Sequence, residues 1–358
     1  MARGAPETNE QSAGYYVKRF HQALGVNITM KCPLECAHCS QESGPGRTET
    51  LNEDLLTSRL REIGDTGRIK QLIISGGEPF AVRGYLARVL AIAAERGMRA
   101  LVNTSANWAV TEERAVAVLQ GLPGLTHLAV SADEYHEPFV PLENVKHGLS
   151  AALRTGIVAE LSIRVWSSED PFLTRLYKAL GSELLGEVFV NWGPIVPTGR
   201  GANLRLPLGL RPLVKGELPE GACDNAHLPI VDHDGQVLGC CNTLLGRRNK
   251  PLQLGHLSEQ SFSEITWKAE ANLLLQAIRV WGPKRLAELA VEQGLGDRLT
   301  WAYPRGNICA LCDDLLSNPE IVAFLEERLQ NPELLGEIQL TRLLQFGELP
   351  PAELAKGD

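Results

Sequence analysis

The chain is 358 residues long, 44% hydrophobic and 22% charged, the composition of an ordinary globular protein with material for one large domain or two modest ones. Its 35 Lys and Arg against 43 Asp and Glu leave a formal charge of -8, so no net basic field gathers nucleic acid or an anionic membrane, and neither is expected as a partner. No apolar run reaches the roughly 18 residues of a membrane span, and Met1 to Gly14 lacks the apolar centre of a secretory signal, so the expected location is the cytoplasm.

After a polar head over 1–20, apolar β-rich runs alternate with stretches of helical spacing. The predicted strands are Gly25 to Met30, Ile69 to Ser75, Arg99 to Thr104, Leu125 to Ser131, Ala159 to Trp166 and Val188 to Trp192. Between them, Leu86, Val89, Leu90 and Ala93, or Leu149, Ala152 and Leu153, repeat with the 3.6-residue period of a helix. Such βα units suit parallel strands with crossover helices, either a doubly wound layer or a partial TIM-like barrel. Prolines and glycines from Pro194 to Gly221 then mark a loop-rich linker. Beyond it, His227 to Asp232 and Gln236 to Cys240 flank Asp234-Gly235 as a hairpin, and 262–293 and 318–345 carry helical periodicity.

Cysteine is the most informative residue type. Three of the eight fall within eight residues, Cys32-Pro33-Leu34-Glu35-Cys36-Ala37-His38-Cys39, directly after the first predicted strand. Three thiolates can hold three corners of a 4Fe-4S cubane and leave one iron open. Zinc is the competing ligand set, with His38 as the nearby fourth donor. One βα unit later, Leu72-Ile73-Ile74-Ser75 runs into Gly76-Gly77-Glu78-Pro79 at the strand end where α/β sites form. The two glycines permit close backbone approach, and Glu78 can receive an ammonium group.

These paired motifs, over roughly 24–200, resemble the radical S-adenosylmethionine (SAM) superfamily. The resemblance implies a partial (β/α)6 TIM-like barrel over 21–205 in which Cys32, Cys36 and Cys39 ligate a 4Fe-4S cluster. SAM would chelate the open iron, with Gly76, Gly77 and Glu78 at its ammonium and His38 against its adenine. An external one-electron reductant of the flavodoxin or ferredoxin type would drive its cleavage to a 5′-deoxyadenosyl radical. Other strand ends offer Asn103, Ser105 and Ser131 for a ribose and Arg164 for a carboxylate, or serve as plain strand-end caps. Asp133 to Glu137 is a candidate substrate loop or a solvated helix start.

Cys223, Cys240 and the pair Cys309 and Cys312 form a second constellation, which by chemistry alone suits zinc or a fully ligated Fe-S cluster. The run from Cys223 through Gly235 to Cys240 resembles the opening of SPASM and twitch extensions of radical SAM enzymes. That implies a single auxiliary 4Fe-4S cluster in a small α+β domain over 206–318, with a helical extension over 319–358. Cys241 belongs to neither set. On an extended strand it would face away from Cys240, as a packed thiol or as a hydrogen donor to a substrate radical.

The expected activity is abstraction of hydrogen from a small polar metabolite, leading to dehydrogenation or epimerisation, because only about 24 residues precede the first strand and leave no space for a leader-binding domain. The alternative is modification of a ribosomally made peptide. A non-enzymatic zinc-stabilised scaffold is the remote third reading.

Overall fold

The computed structural model describes residues 22–205, 217–223, 225–226, 228–304 and 307–348. The polar head over 1–20, the 206–216 part of the linker, His227 at the head of the hairpin and the end of the extension over 349–358 lie outside the described residues.

Six strands lead: β1 (Ala23–Thr29), β2 (Gln71–Gly76), β3 (Arg99–Thr104), β4 (His127–Ala132), β5 (Val158–Val165) and β6 (Phe189–Pro194), each end within two residues of expectation. They alternate with α1 (Glu53–Asp65), α2 (Arg83–Glu95), α3 (Glu112–Gln120), α4 (Leu142–Arg154) and α5 (Pro171–Glu187). Several helix starts are fixed locally, since the side chains of Asn52, Thr111 and Asp170 accept backbone N–H groups of the first turns of α1, α3 and α5. Each such cap is worth about 1 kcal/mol.

Adjacent strands pair in parallel and in strict chain order from β1 to β6. Right-handed crossovers in one unbroken order place every helix on the same side, whereas a doubly wound sheet reverses its order at a switch point. The sheet is therefore of the partial-barrel kind. Alternation then divides each strand between two environments. Leu24, Val26, Ile28, Leu72, Ile74, Val102, Leu128, Val130 and Leu161 are buried in one core with Leu56, Leu60, Leu86, Val89, Leu90 and Leu149 of the helices. The opposite, inner face carries Asn27, Ser75, Asn103, Ser131 and Arg164, so polar groups line the barrel.

The later hairpin joins this same sheet. β7 (Ile230–Val231) pairs in parallel with β1, and β8 (Gln236–Leu238) and β9 (Gln253–His256) continue antiparallel, giving a sheet of nine strands among the described residues. Two expectations need correction. β8 stops at Leu238, so Cys240 and Cys241 lie in the bend before α6 (Thr243–Arg248) and not on a strand. β9 was not foreseen, because Gln-Leu-Gly-His offers one apolar residue in four and hence no alternation to read.

The rest is helical: α7 (Phe262–Ala271), α8 (Leu273–Val280), α9 (Pro283–Glu292), α10 (Ile308–Leu316), α11 (Pro319–Arg328) and α12 (Pro332–Phe346). Asn272, Asn318 and Asn331 cap α8, α11 and α12, and a proline in the first turn follows the last two. Among the described residues no helix is long and apolar enough to cross a membrane.

Candidate active site

A cavity of about 390 Å³ opens at the C-terminal ends of the parallel strands, lined by Cys32, Cys36 and Cys39 on one wall and by Gly76, Gly77 and Glu78 beside them. The loop after β1 is fixed by backbone contacts: Cys32 N–H donates to Gly44, Cys39 N–H to Cys36, and the Arg200 side chain to the Cys36 carbonyl at 3.0 Å. The glycine pair presses this loop into place. Gly77 N–H reaches Thr29 O at 2.6 Å and Glu78 N–H reaches Lys31 O at 2.9 Å. A Cβ at Gly76 would lie 2.3 Å from Thr29 O, and one at Gly77 2.3 Å from Lys31 O, so the close approach that the glycines permit is to the exit of β1.

Glu78 is buried, and its acceptor positions are filled by this chain. Thr104 Oγ1 at 2.8 Å and Phe80 N–H at 3.2 Å donate to one carboxylate oxygen, while Ser105 donates its N–H at 2.9 Å and its hydroxyl at 2.7 Å to the other. A carboxylate offers about four lone-pair sites. The side chain expected to receive a ligand ammonium thus ties the exit of β2 to that of β3, and burial pushes its carboxyl up. Asn103, Ser105, Ser131 and Arg164 line the same cavity. Arg164 is anchored by an Nη1 hydrogen bond to its neighbour Ile163 O at 2.8 Å.

His38 also lines the cavity, but in a setting the sequence did not disclose. Its Nε2 lies 3.2 Å from the Asp133 carboxylate, and its ring stacks on Tyr135 at 5.0 Å and meets His136 edge-on at 5.0 Å. Asp133 also accepts from His136 Nδ1 at 2.7 Å and from the backbone N–H groups of Tyr135 and His136. Burial alone would raise the Asp133 carboxyl, yet the two imidazoles outweigh it and hold the group below the usual carboxylate range. Burial would likewise lower His136, but its bond to Asp133 and, next, its contact with the Cys36 thiol reverse this and push the imidazole up to about 10. The loop read as a substrate holder therefore clamps the thiol loop. The Asp133 to His136 spacing hinted at local pairing, whereas nothing linked either residue to His38.

Residues 26–159 match the family model of the radical SAM superfamily. They form a radical SAM domain. The chain is also similar to the Bacillus subtilis (strain 168) protein described as "Putative peptide biosynthesis protein YydG", 22% identical over 311 residues that cover 85% of this chain and 95% of YydG. A shorter likeness, 30% over 129 residues, is to the Fe-coproporphyrin III synthase of Methanosarcina barkeri (strain Fusaro / DSM 804), covering 36% of this chain and 31% of the synthase. Among solved structures, Streptococcus suis SuiB bound to the precursor peptide SuiA shares the fold at a TM-score of 0.50 and 12% identity, over 69% of this chain and 65% of SuiB.

A radical SAM domain uses a 4Fe-4S cluster and SAM, and the donors present here fit them. A tetrahedral zinc site with bonds of about 2.3 Å sets its sulfurs about 3.8 Å apart. Among the described residues no three cysteine thiols lie within 4.8 Å of one another, which suits a larger group than a single zinc ion. The three thiols border open space on the cavity side, where a further ligand could approach.

Outside the radical SAM domain, the fold draws the other thiols together from separate segments. Cys223 is held through its N–H to Ile278 O at 3.2 Å, Cys240 and Cys241 follow β8, and Cys309 and Cys312 occupy the start of α10. Cys240 senses the charges of Cys241, Cys312 and Cys223, Cys309 those of Cys241 and Cys223, and Cys312 those of Cys223 and Cys309. Burial pushes the Cys309 thiol up to about 12 and the Cys240 and Cys312 thiols well above their usual value. Cys241 sits beside Cys240 and Cys309 and also lines the active-site cavity with Arg164, and Cys309 borders it too.

Proposed function

We propose that this protein is a radical SAM epimerase that inverts a carbon centre in a ribosomally made peptide. In this reading Cys32, Cys36 and Cys39 hold the SAM-binding cluster, and Cys223, Cys240, Cys309 and Cys312 hold an auxiliary 4Fe-4S cluster in an extension that spans 206–318. When bound, the cluster and SAM supply a 5′-deoxyadenosyl radical that takes hydrogen from the substrate. The observation that carries the reading is the place of Cys241, whose thiol lines the same cavity as the cluster cysteines but comes from a different wall, after β8.

The residues divide the work. The His38–Asp133–His136 clamp and the Gly76–Gly77 turn hold the thiol loop still, so the radical forms at a fixed place. Arg164, at the end of β5, offers a guanidinium to a carboxylate or carbonyl in the cavity. Cys241 then gives the hydrogen atom of its S–H bond to the substrate carbon radical. A new C–H bond forms as S–H breaks, and the sulfur radical is restored to a thiol by one electron from an external flavodoxin- or ferredoxin-type reductant and one proton from solvent. The peptide is preferred to the small polar metabolite because the likeness to YydG extends over nearly all of that peptide biosynthesis protein.

The test is turnover in D2O of a panel of short synthetic peptides, with chiral amino-acid analysis after hydrolysis. The wild-type enzyme should yield an inverted residue that carries one solvent deuterium. Cys241→Ser should still form 5′-deoxyadenosine while inverted product falls by at least about 100-fold. Full product from the serine variant would make Cys241 a packed thiol and favour an oxidation.

A further inference from the structure

We infer that the free edge of β6 is the docking strand for an extended segment of the peptide substrate, which it would guide into the active-site cavity; this rests on the peptide reading given above. β6 ends the nine-stranded sheet, and among the described residues no strand pairs with its outer side. A free edge presents unpaired N–H and C=O groups in alternation, and proteins normally guard such an edge with charges or with a covering element. Phe189-Val190-Asn191-Trp192-Gly193-Pro194 carries no charge at all, and its one guarding residue, Pro194, stands at the very end of the strand. Instead Trp192 is 61% exposed and Val190 45%.

Register explains why these two lie together. Val190 is paired with Leu161 and Trp192 with Ile163, so they continue outward the apolar face that those buried residues turn to the helices. Asn191 and Gly193 point the other way, beside Ser162 and Arg164 of the barrel interior. The opposite end of the sheet is different in kind. At β9, Gln253 folds its side-chain amide onto the Arg247 carbonyl, and Glu259 and Lys268 border the same hollow.

Direction supplies the second argument. The strand runs toward the catalytic end, where Pro194, Ile195 and Val196 line the cavity with Arg164 and Cys241. A peptide strand added to β6 would gain backbone hydrogen bonds at Val190 and Trp192, place alternate side chains beside them, and lead its next residues past Pro194, which has no N–H to donate, to the cavity mouth. A small metabolite has no use for such an edge.

The experiment selects binders to the reconstituted holoenzyme with SAM from an mRNA-display library of 15-residue peptides, then measures their affinity and the amide hydrogen exchange of the enzyme. Enriched peptides should slow exchange at 189–194, and Trp192→Lys and Val190→Glu, compared with wild type at equal iron content, should weaken them by at least about 10-fold. Peptides that bind both variants as tightly as the wild type, or that leave exchange at 189–194 unchanged, overturn the docking strand while the peptide reading stands. A library from which nothing is enriched overturns both.

Discussion

The two thiol groups of this protein differ in what surrounds them more than in their cysteines. Cys32, Cys36 and Cys39 come from one short loop, border an open cavity, and are steadied by hydrogen bonds from backbone and from Arg200. Cys223, Cys240, Cys309 and Cys312 come from three distant segments, and burial pushes up three of these thiols, whereas in the first loop it does so at Cys32. The first group has fewer donors and more space, the arrangement of a site where chemistry is done. The second closes in on itself, which suits a site that holds or passes electrons. A local motif can build the first; only a folded extension can build the second.

The sharpest way to break this comparison is to remove one ligand from each group. Cys36→Ala should abolish formation of 5′-deoxyadenosine in reduced enzyme, a loss of at least about 1,000-fold, whereas Cys312→Ala should reduce uncoupled cleavage by less than about tenfold. Liquid chromatography of quenched reactions, with both variants shown to be folded by circular dichroism, decides it. Equal losses would mean that the groups do not divide the work.

Metal content sharpens the same contrast at a smaller scale. Reconstituted wild type should hold about eight irons and eight sulfides per chain, and Gly77→Ala about half, because its Cβ would collide with Lys31 O and displace the first loop alone. The Cys32→Ala, Cys36→Ala, Cys39→Ala variant should match it. Stoichiometric zinc with no charge-transfer absorption would refute both cluster assignments.

The smallest effect concerns the seam between the regions. Buried Asp232, next to β7, accepts from Asn27 of β1 at 3.1 Å, from Arg247 of α6 at 2.6 Å and from His233 N–H at 2.9 Å. Burial opposes its charge, yet His233, Arg247 and Asn27 together hold the carboxyl below its usual range. A lowered carboxyl stabilises the fold fully above its unfolded value near 3.9, and that stabilisation fades as pH falls through the lower folded value. Asp232→Asn should therefore cost about 3 kcal/mol at neutral pH, with the gap constant from pH 8 to pH 5 and narrowing only below about pH 4. Denaturant melts across that range check it, and a gap that closes by pH 6 would assign the effect to another group.

Much of this protein is determined by short stretches of sequence. The six parallel strands follow from apolar runs and the helices from 3.6-residue spacing, because both are periodicities that neighbouring residues impose on one another. The Cys32 to Cys39 loop and the Gly76–Gly77 turn were legible for the same reason, each being a few residues whose geometry is set by their own backbone. What the tertiary structure alone decided are the meetings of residues far apart in the chain. His38 finds Asp133 across the barrel, Glu78 spends its carboxylate on Thr104 and Ser105, β7 joins β1, and Cys241 turns to the cavity. Each of these depends on which strand ends the sheet places side by side, and a polar residue carries no mark in the sequence of the partner that its burial will require.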